Sequence, residues 1–125
     1  MIIGIGTDIV SIQRIEEAVE RFGERFINRV FTGEEANICK GKKEKGPYLA
    51  GRFAAKEAVL KAFGTGVSNG IGFKNIGILR EPGKRPTVWL HGELKKMAES
   101  LGVKEIHISI SHDGGIAMAF AVVEG

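Results

Sequence analysis

GRFAAKEAVLKAFG, at residues 51–64, reads as a helix that is apolar on every side. At about 100° per residue, Phe53, Ala54, Ala55, Ala58, Val59, Leu60, Ala62 and Phe63 cover nearly the whole circumference. A helix of this kind has to be enclosed, so the rest of the chain must fold around it. Yet Arg52, Lys56, Glu57 and Lys61 lie within the same turns. Glu57 and Lys61 are four residues apart and share a face with Phe53, Ala54 and Leu60. A charge in apolar surroundings is costly unless paired, and such groups concentrate at functional sites. Two readings fit: an ordinary Glu–Lys pair at the edge of a core, or part of a site.

The flanking segments supply the enclosure. Residues 1–10 alternate as a strand, with Ile3, Ile5 and Ile9 on one face and Gly4, Gly6 and Asp8 on the other beside Ile2 and Val10. The two glycines predict open space beside the Asp8 carboxylate. Ile12, Ile15, Val19 and Phe22 recur at helical spacing, with Arg14, Glu17 and Arg21 turned outward and Gly23 ending or interrupting the helix. Thr32-x-x-Glu35 is the capping box of a short helix at 33–40, and GKKEKGP (41–47) is a basic loop before the central helix. GTGVSNGIG (64–72) is a glycine-dense loop. Strands follow at 73–79 and 86–91 around a turn at Glu81–Lys84, then a helix at Glu93–Leu101 stopped by Gly102. Strands at 104–112 and 116–123 form a hairpin through Asp113-Gly114-Gly115. The order β-α-α-α-β-β-α-β-β predicts an α+β fold, one domain over 1–125, with a mainly antiparallel sheet and helices packed on it.

The N-terminus, MIIGIGTDIV, lacks the basic lead and cleavage site of a signal peptide, and no apolar run approaches the roughly 20 residues that cross a bilayer. No membrane association is therefore expected. Cys39 is the single cysteine, which excludes an intrachain disulfide and agrees with a reducing cytoplasm. The net charge of +3 favours anionic partners mildly. One Trp and one Tyr do not make a base-stacking surface among the basic residues, which argues against nucleic acid.

Asp8 and Glu57 are the two acids placed oddly for solvent-facing residues. Two convergent carboxylates whose remaining positions are filled by water and phosphate suit magnesium; zinc would want His and Cys ligands, and the three His and one Cys are widely spaced. The bland alternative for Asp8 is a cap on the next helix. Lys61, one turn beyond Glu57, can set a positive charge beside a phosphate ester or simply pair with Glu57. Neither Gly4–Gly6 nor Gly64–Gly66 completes a nucleotide-binding loop. IHISISH (106–112) puts His107, Ser109 and Ser111 on one strand face, a polar stripe fit either for solvent or for a ligand cleft. Ser111 and His112 point to opposite faces of the strand, which argues against a Ser-His hydrolase.

Taken together, GIGTDIV with Asp8, FAAKEAVLKAFG with Lys56, Glu57 and Lys61, RFINRVFTGEE, GKRP (83–86) and ISISHD (108–113) resemble the holo-[acyl-carrier-protein] synthases, the short bacterial 4′-phosphopantetheinyl transferases, over essentially the whole chain. The resemblance implies transfer of the 4′-phosphopantetheine arm of coenzyme A, a co-substrate, onto a serine of apo acyl carrier protein. Adenosine 3′,5′-bisphosphate would be released, in cytoplasmic fatty acid biosynthesis. It implies Asp8 and Glu57 as Mg2+ ligands and Lys61 as the cation on the leaving phosphate. The proton of the incoming serine would go to a carboxylate or to a metal-held water. It further implies a homotrimer with coenzyme A in the cleft between neighbours. Gly64, Gly83, Arg85, Pro86, His107, Ser109 and Ser111 would lie at the nucleotide, and Lys56 at the nucleotide or only at the subunit contact. On charge, Lys42, Lys43 and Lys45 are candidates for the 3′-phosphate. Arg14 matches the family's carrier-protein contact on the first helix, with Arg21 and Arg25 extending it. A non-catalytic binding module and a magnesium-dependent pyrophosphate hydrolase are the competing classes.

Overall fold

The computed structural model describes residues 1–67 and 70–125. Strand β1 (Ile2–Ser11) leads directly into helix α1 (Ile12–Phe22), capped by Ser11, whose Oγ accepts from the Arg14 amide. Gly23 adopts φ 55° and breaks the helical run, but the chain resumes at once as α2 (Glu24–Val30). The sequence pattern missed α2, so the structure has one more helix than expected. The Thr32 capping box is present in full: Thr32 Oγ1 accepts from the Glu35 amide and Glu35 Oε1 accepts from the Thr32 amide, opening α3 (Gly33–Lys40).

The central helix α4 (Lys45–Phe63) begins six residues before the all-apolar stretch, absorbing part of the expected basic loop. Pro47 sits in its first turn, where a missing amide is tolerated. A 3₁₀ turn at Phe73–Asn75 replaces the beginning of the strand expected at 73–79, and β2 (Ile76–Leu79) and β3 (Thr87–Leu90) then pair antiparallel. Helix α5 (Gly92–Leu101) precedes the hairpin of β4 (Glu105–Asp113) and β5 (Ile116–Glu124). Gly114 and Gly115 both take positive φ there, as a two-residue hairpin turn requires. Residues 68 and 69 of the expected loop at 64–72 lie outside the described residues.

The fold is α+β. Its main sheet has the order β1-β5-β4, antiparallel throughout, with β2-β3 as a separate ribbon. Ala119, Ala121 and Val123 of β5 and the isoleucines of β4 turn inward onto α4, which is buried along Ala54, Ala55, Ala58, Val59 and Leu60. The small residues let the helix lie close. A Cβ at Gly4 would overlap the Ala62 carbonyl oxygen, and one at Gly6 the Ala58 carbonyl oxygen. The glycines of β1 therefore do not leave open space beside Asp8, as expected from sequence: the α4 backbone fills it. The opposite sheet face is apolar and uncovered, with Ile5, Ile9, Met118 and Phe120 exposed. No described helix is long and apolar enough to cross a membrane.

Candidate active site

The close approach of β1 and α4 is what builds the site. Asp8 shares the inward face of β1 with Gly4 and Gly6, so the same contact sets its carboxylate against the Glu57–Lys61 turn of α4. Lys61 Nζ lies 3.1 Å from Asp8 Oδ1 and donates to the Thr7 carbonyl at 3.0 Å. Its described ion pair is thus with Asp8, not with Glu57 as helix spacing alone suggests. Glu57 is half-buried. Burial pushes its carboxyl above the usual range, the Asp8 charge pushes it further, and Lys61 partly offsets both. Asp8 and Glu57 are therefore two carboxylates near enough to repel, with the Lys61 ammonium paired to Asp8. An oxygen-only donor set with two protein ligands and free positions fits a magnesium ion; it does not fit zinc.

Among the described residues, Glu105, His107 and Glu124 form the one cluster of three potential metal ligands. His107 Nε2 lies 3.0 Å from Glu124 Oε1, whereas its Nδ1 lies 3.9 Å from Glu105 Oε1. One ligand atom from each of the three lies within 4.8 Å of the others. Hydrogen bonding from His107 also holds the Glu124 carboxyl below its ordinary value. The cluster is an ion network, and Arg85 Nη2 extends it at 3.6 Å from Glu105.

A basic cleft of about 500 Å³ opens beyond the other edge of the sheet, between β4 and the start of α4. Lys42, Arg52, Arg80, Arg85 and His112 line it, with Ser109 on its wall. The Arg52 guanidinium stacks 4.5 Å from the Tyr48 ring centroid, and Lys42 lies 5.5 Å away. The Tyr48 hydroxyl and Arg52 Nε are buried without hydrogen-bond partners among the described residues. A second cleft of about 410 Å³ adjoins it through Arg85, Pro86 and Ile108 and holds His107.

The sequence-predicted residues divide accordingly. Asp8, Glu57 and Lys61 come together; Arg85, Pro86 and Ser109 line the basic cleft, and His107 lines its neighbour. Gly83, at the turn with φ 76°, and Ser111, exposed on β4, line neither cleft, and Gly64 is the left-handed cap of α4. Lys43 points into a groove beside Ile12 and Val19 of α1, while Lys42 faces the basic cleft. Lys56 is a correction: it is fully buried, with its ammonium 2.6 Å from Glu35 and donating to the Val30 and Phe73 carbonyls, so it meets neither a nucleotide nor a neighbouring subunit. Arg14, Arg21 and Arg25 are exposed on α1 and α2, where Phe22 and Arg29 join them. Sequence reasoning missed Tyr48, Arg52 and Arg80 as cleft residues. The four-residue spacing of Tyr48 and Arg52 on one helix face was the available signal.

Residues 4–121 match the 4′-phosphopantetheinyl transferase superfamily. The chain belongs to its holo-[acyl-carrier-protein] synthases. It is 42% identical to the holo-[acyl-carrier-protein] synthase of Koribacter versatilis over 124 residues, 99% of each chain. The crystal structure of the Neisseria meningitidis synthase superposes with a TM-score of 0.92 at 40% identity, covering 100% of both chains. The Helicobacter pylori synthase, solved in complex with coenzyme A, gives 0.84 at 38% identity over 96% of this chain and 99% of that one. Family membership makes the chain a 4′-phosphopantetheinyl transferase.

Proposed function

We propose that this chain moves the 4′-phosphopantetheine group of coenzyme A onto a serine of apo acyl carrier protein, with magnesium held by Asp8 and Glu57. The observation that carries the reading is the convergence of Asp8, Glu57 and Lys61 where β1 meets α4, in a chain of this family. The serine oxygen attacks the phosphorus that carries pantetheine. The bond from that phosphorus to the bridging pyrophosphate oxygen breaks, and adenosine 3′,5′-bisphosphate leaves. Bound magnesium would supply charge neutralisation across the pyrophosphate. Lys61, more than half exposed at the same point, is free to turn its ammonium to the departing phosphate oxygen. The serine proton passes to a carboxylate or to a water at the site. Such a transfer needs alignment and charge more than a protein nucleophile.

The basic cleft supports binding of the anionic nucleotide, and the arginine-bearing face of α1 and α2 supports docking of an acidic carrier. The carboxylates sit at the β1 edge and the cleft beyond the β4 edge, two strand spacings or roughly 10 Å apart. A homotrimer in which one subunit's cleft is completed by a neighbour's carboxylates agrees with that division, and the exposed apolar sheet face supports such assembly. We assign the reaction to fatty acid biosynthesis in the cytoplasm, with 1–125 as one catalytic domain. The test is to mix the protein with apo acyl carrier protein, coenzyme A and Mg2+ and weigh the carrier: it gains the phosphopantetheine mass. An unchanged carrier mass, with a known synthase active in parallel, overturns the reading.

A further inference from the structure

The most unusual group outside the site is the buried pair of Lys56 and Glu35, both without solvent exposure. The pair is saturated. Lys56 Nζ has three acceptors: Glu35 Oε1 at 2.6 Å, the Val30 carbonyl at 2.8 Å and the Phe73 carbonyl at 3.3 Å. Glu35 Oε1 also accepts from the Thr32 amide, and its Oε2 accepts from the Ile78 amide at 2.6 Å. One network thus joins the end of α2, the first turn of α3, the middle of α4, the 3₁₀ turn and β2.

Its position on α4 gives the network a consequence for Glu57. Helix α4 is apolar around most of its circumference, with the small residues Ala50, Gly51, Ala54, Ala55, Ala58 and Ala62 set among the buried Leu49, Val59, Leu60 and Phe63. The close fit of Gly4 and Gly6 against the α4 backbone and the large buried side chains already limit rotation of the helix, but hydrophobic contacts are themselves non-directional. Directional hydrogen bonds to a buried charge fix it strongly. Glu57 is the next residue after Lys56, about 100° around the helix. A side-chain tip at roughly 5–6 Å from the axis moves about 1.5 Å for a rotation of roughly 15°, enough to spoil convergence with Asp8.

We propose that the Lys56–Glu35 pair is a positioning device: it fixes the rotation of α4 so that the Glu57 carboxylate meets Asp8 in a metal-binding geometry. The proposal rests on the reading of Asp8 and Glu57 as metal ligands. Lys56 touches no substrate and acts only through Glu57.

The test replaces the pair with neutral groups of similar shape, Lys56→Met with Glu35→Gln, and titrates Mn2+ alone by electron paramagnetic resonance. Circular dichroism checks the fold, and steady-state kinetics give the Mg2+ activation constant and the KM for carrier protein. The folded double variant should bind Mn2+ about tenfold more weakly or worse, with the Mg2+ activation constant raised in step. The carrier KM should stay unchanged, since α1 is not part of the network. If the double variant does not fold, Glu35→Asp, which keeps the charge and both carboxylate oxygens but shortens their reach to Lys56 and to the Thr32 and Ile78 amides, is measured in the same way. A folded variant that binds Mn2+ as the parent does overturns the positioning role. A parent protein that binds no Mn2+ overturns instead the metal assignment of Asp8 and Glu57.

Discussion

Two of the three lysines of helix α4, Lys56 and Lys61, each face a carboxylate from another element, in opposite environments. Lys56 and Glu35 are both fully buried; the Lys61 and Asp8 side chains are 53% and 15% exposed. In the first pair every N–H of the ammonium has an acceptor, so nothing is left to offer a substrate. Burial pulls that ammonium below the ordinary lysine range, and Glu35 opposes the pull. In the second pair water screens the attraction, so little is lost when Lys61 exchanges Asp8 for a phosphate oxygen. A lysine facing a carboxylate thus serves architecture where it is enclosed, and is left free for the chemistry proposed for Lys61 where the helix comes to the surface.

The largest effect should come from breaking the enclosed pair. Lys56→Met leaves the Glu35 charge uncompensated, and the expected loss is about 3–5 kcal/mol in urea unfolding. A loss below about 1 kcal/mol would put the two pairs in one class. Next comes Lys61→Met, which should leave stability within about 1 kcal/mol of the parent while lowering kcat by about 10²–10³-fold in the mass-shift assay. Unchanged kcat would remove Lys61 from the transition state. A smaller effect is expected at the carrier face: raising salt should raise the carrier KM and leave kcat nearly unchanged, because exposed arginines act mainly on association. A salt-insensitive KM would exclude the Arg14–Arg25 surface.

The same contrast explains how far the sequence could be read. The α3 capping box, the Gly114–Gly115 hairpin and the interruption at Gly23 depend on neighbours within a few residues, and all were legible. The role of Lys56 depends on Val30, Glu35 and Phe73, between 17 and 26 residues away along the chain, so spacing on the helix could not find it. Gly4 and Gly6 looked like empty space because the backbone that fills it arrives from α4. Lys42 and Lys43 differ only in the direction the chain takes before α4, which composition does not encode. Asp8 and Glu57 stood out in the sequence as oddly placed acids, and the family pattern linked them as the proposed metal ligands. Helix spacing alone favoured a Glu57–Lys61 pair, whereas the described bond is Lys61 to Asp8.

The subtlest break point is the protonation of Glu57. Burial first, and the Asp8 charge second, hold its carboxyl above the usual range, with Lys61 opposing. A carboxyl whose folded pKa exceeds its unfolded one adds stability that is complete below the unfolded value and lost as pH rises through the folded one. Ionised Glu57 therefore weakens the metal-free protein near neutrality, and a bound divalent cation reverses this by binding only the folded, ionised form. Glu57→Gln, neutral at every pH, should melt above the parent in EDTA at about pH 8, with the difference shrinking as pH falls towards about 4. Mg2+ should raise the Tm of the parent alone. Scanning calorimetry across that range reads both effects. A variant that melts below the parent at the high end would mean that Glu57, like Lys56, is held by a stabilising pair, and the open end of α4 would then be architecture as well.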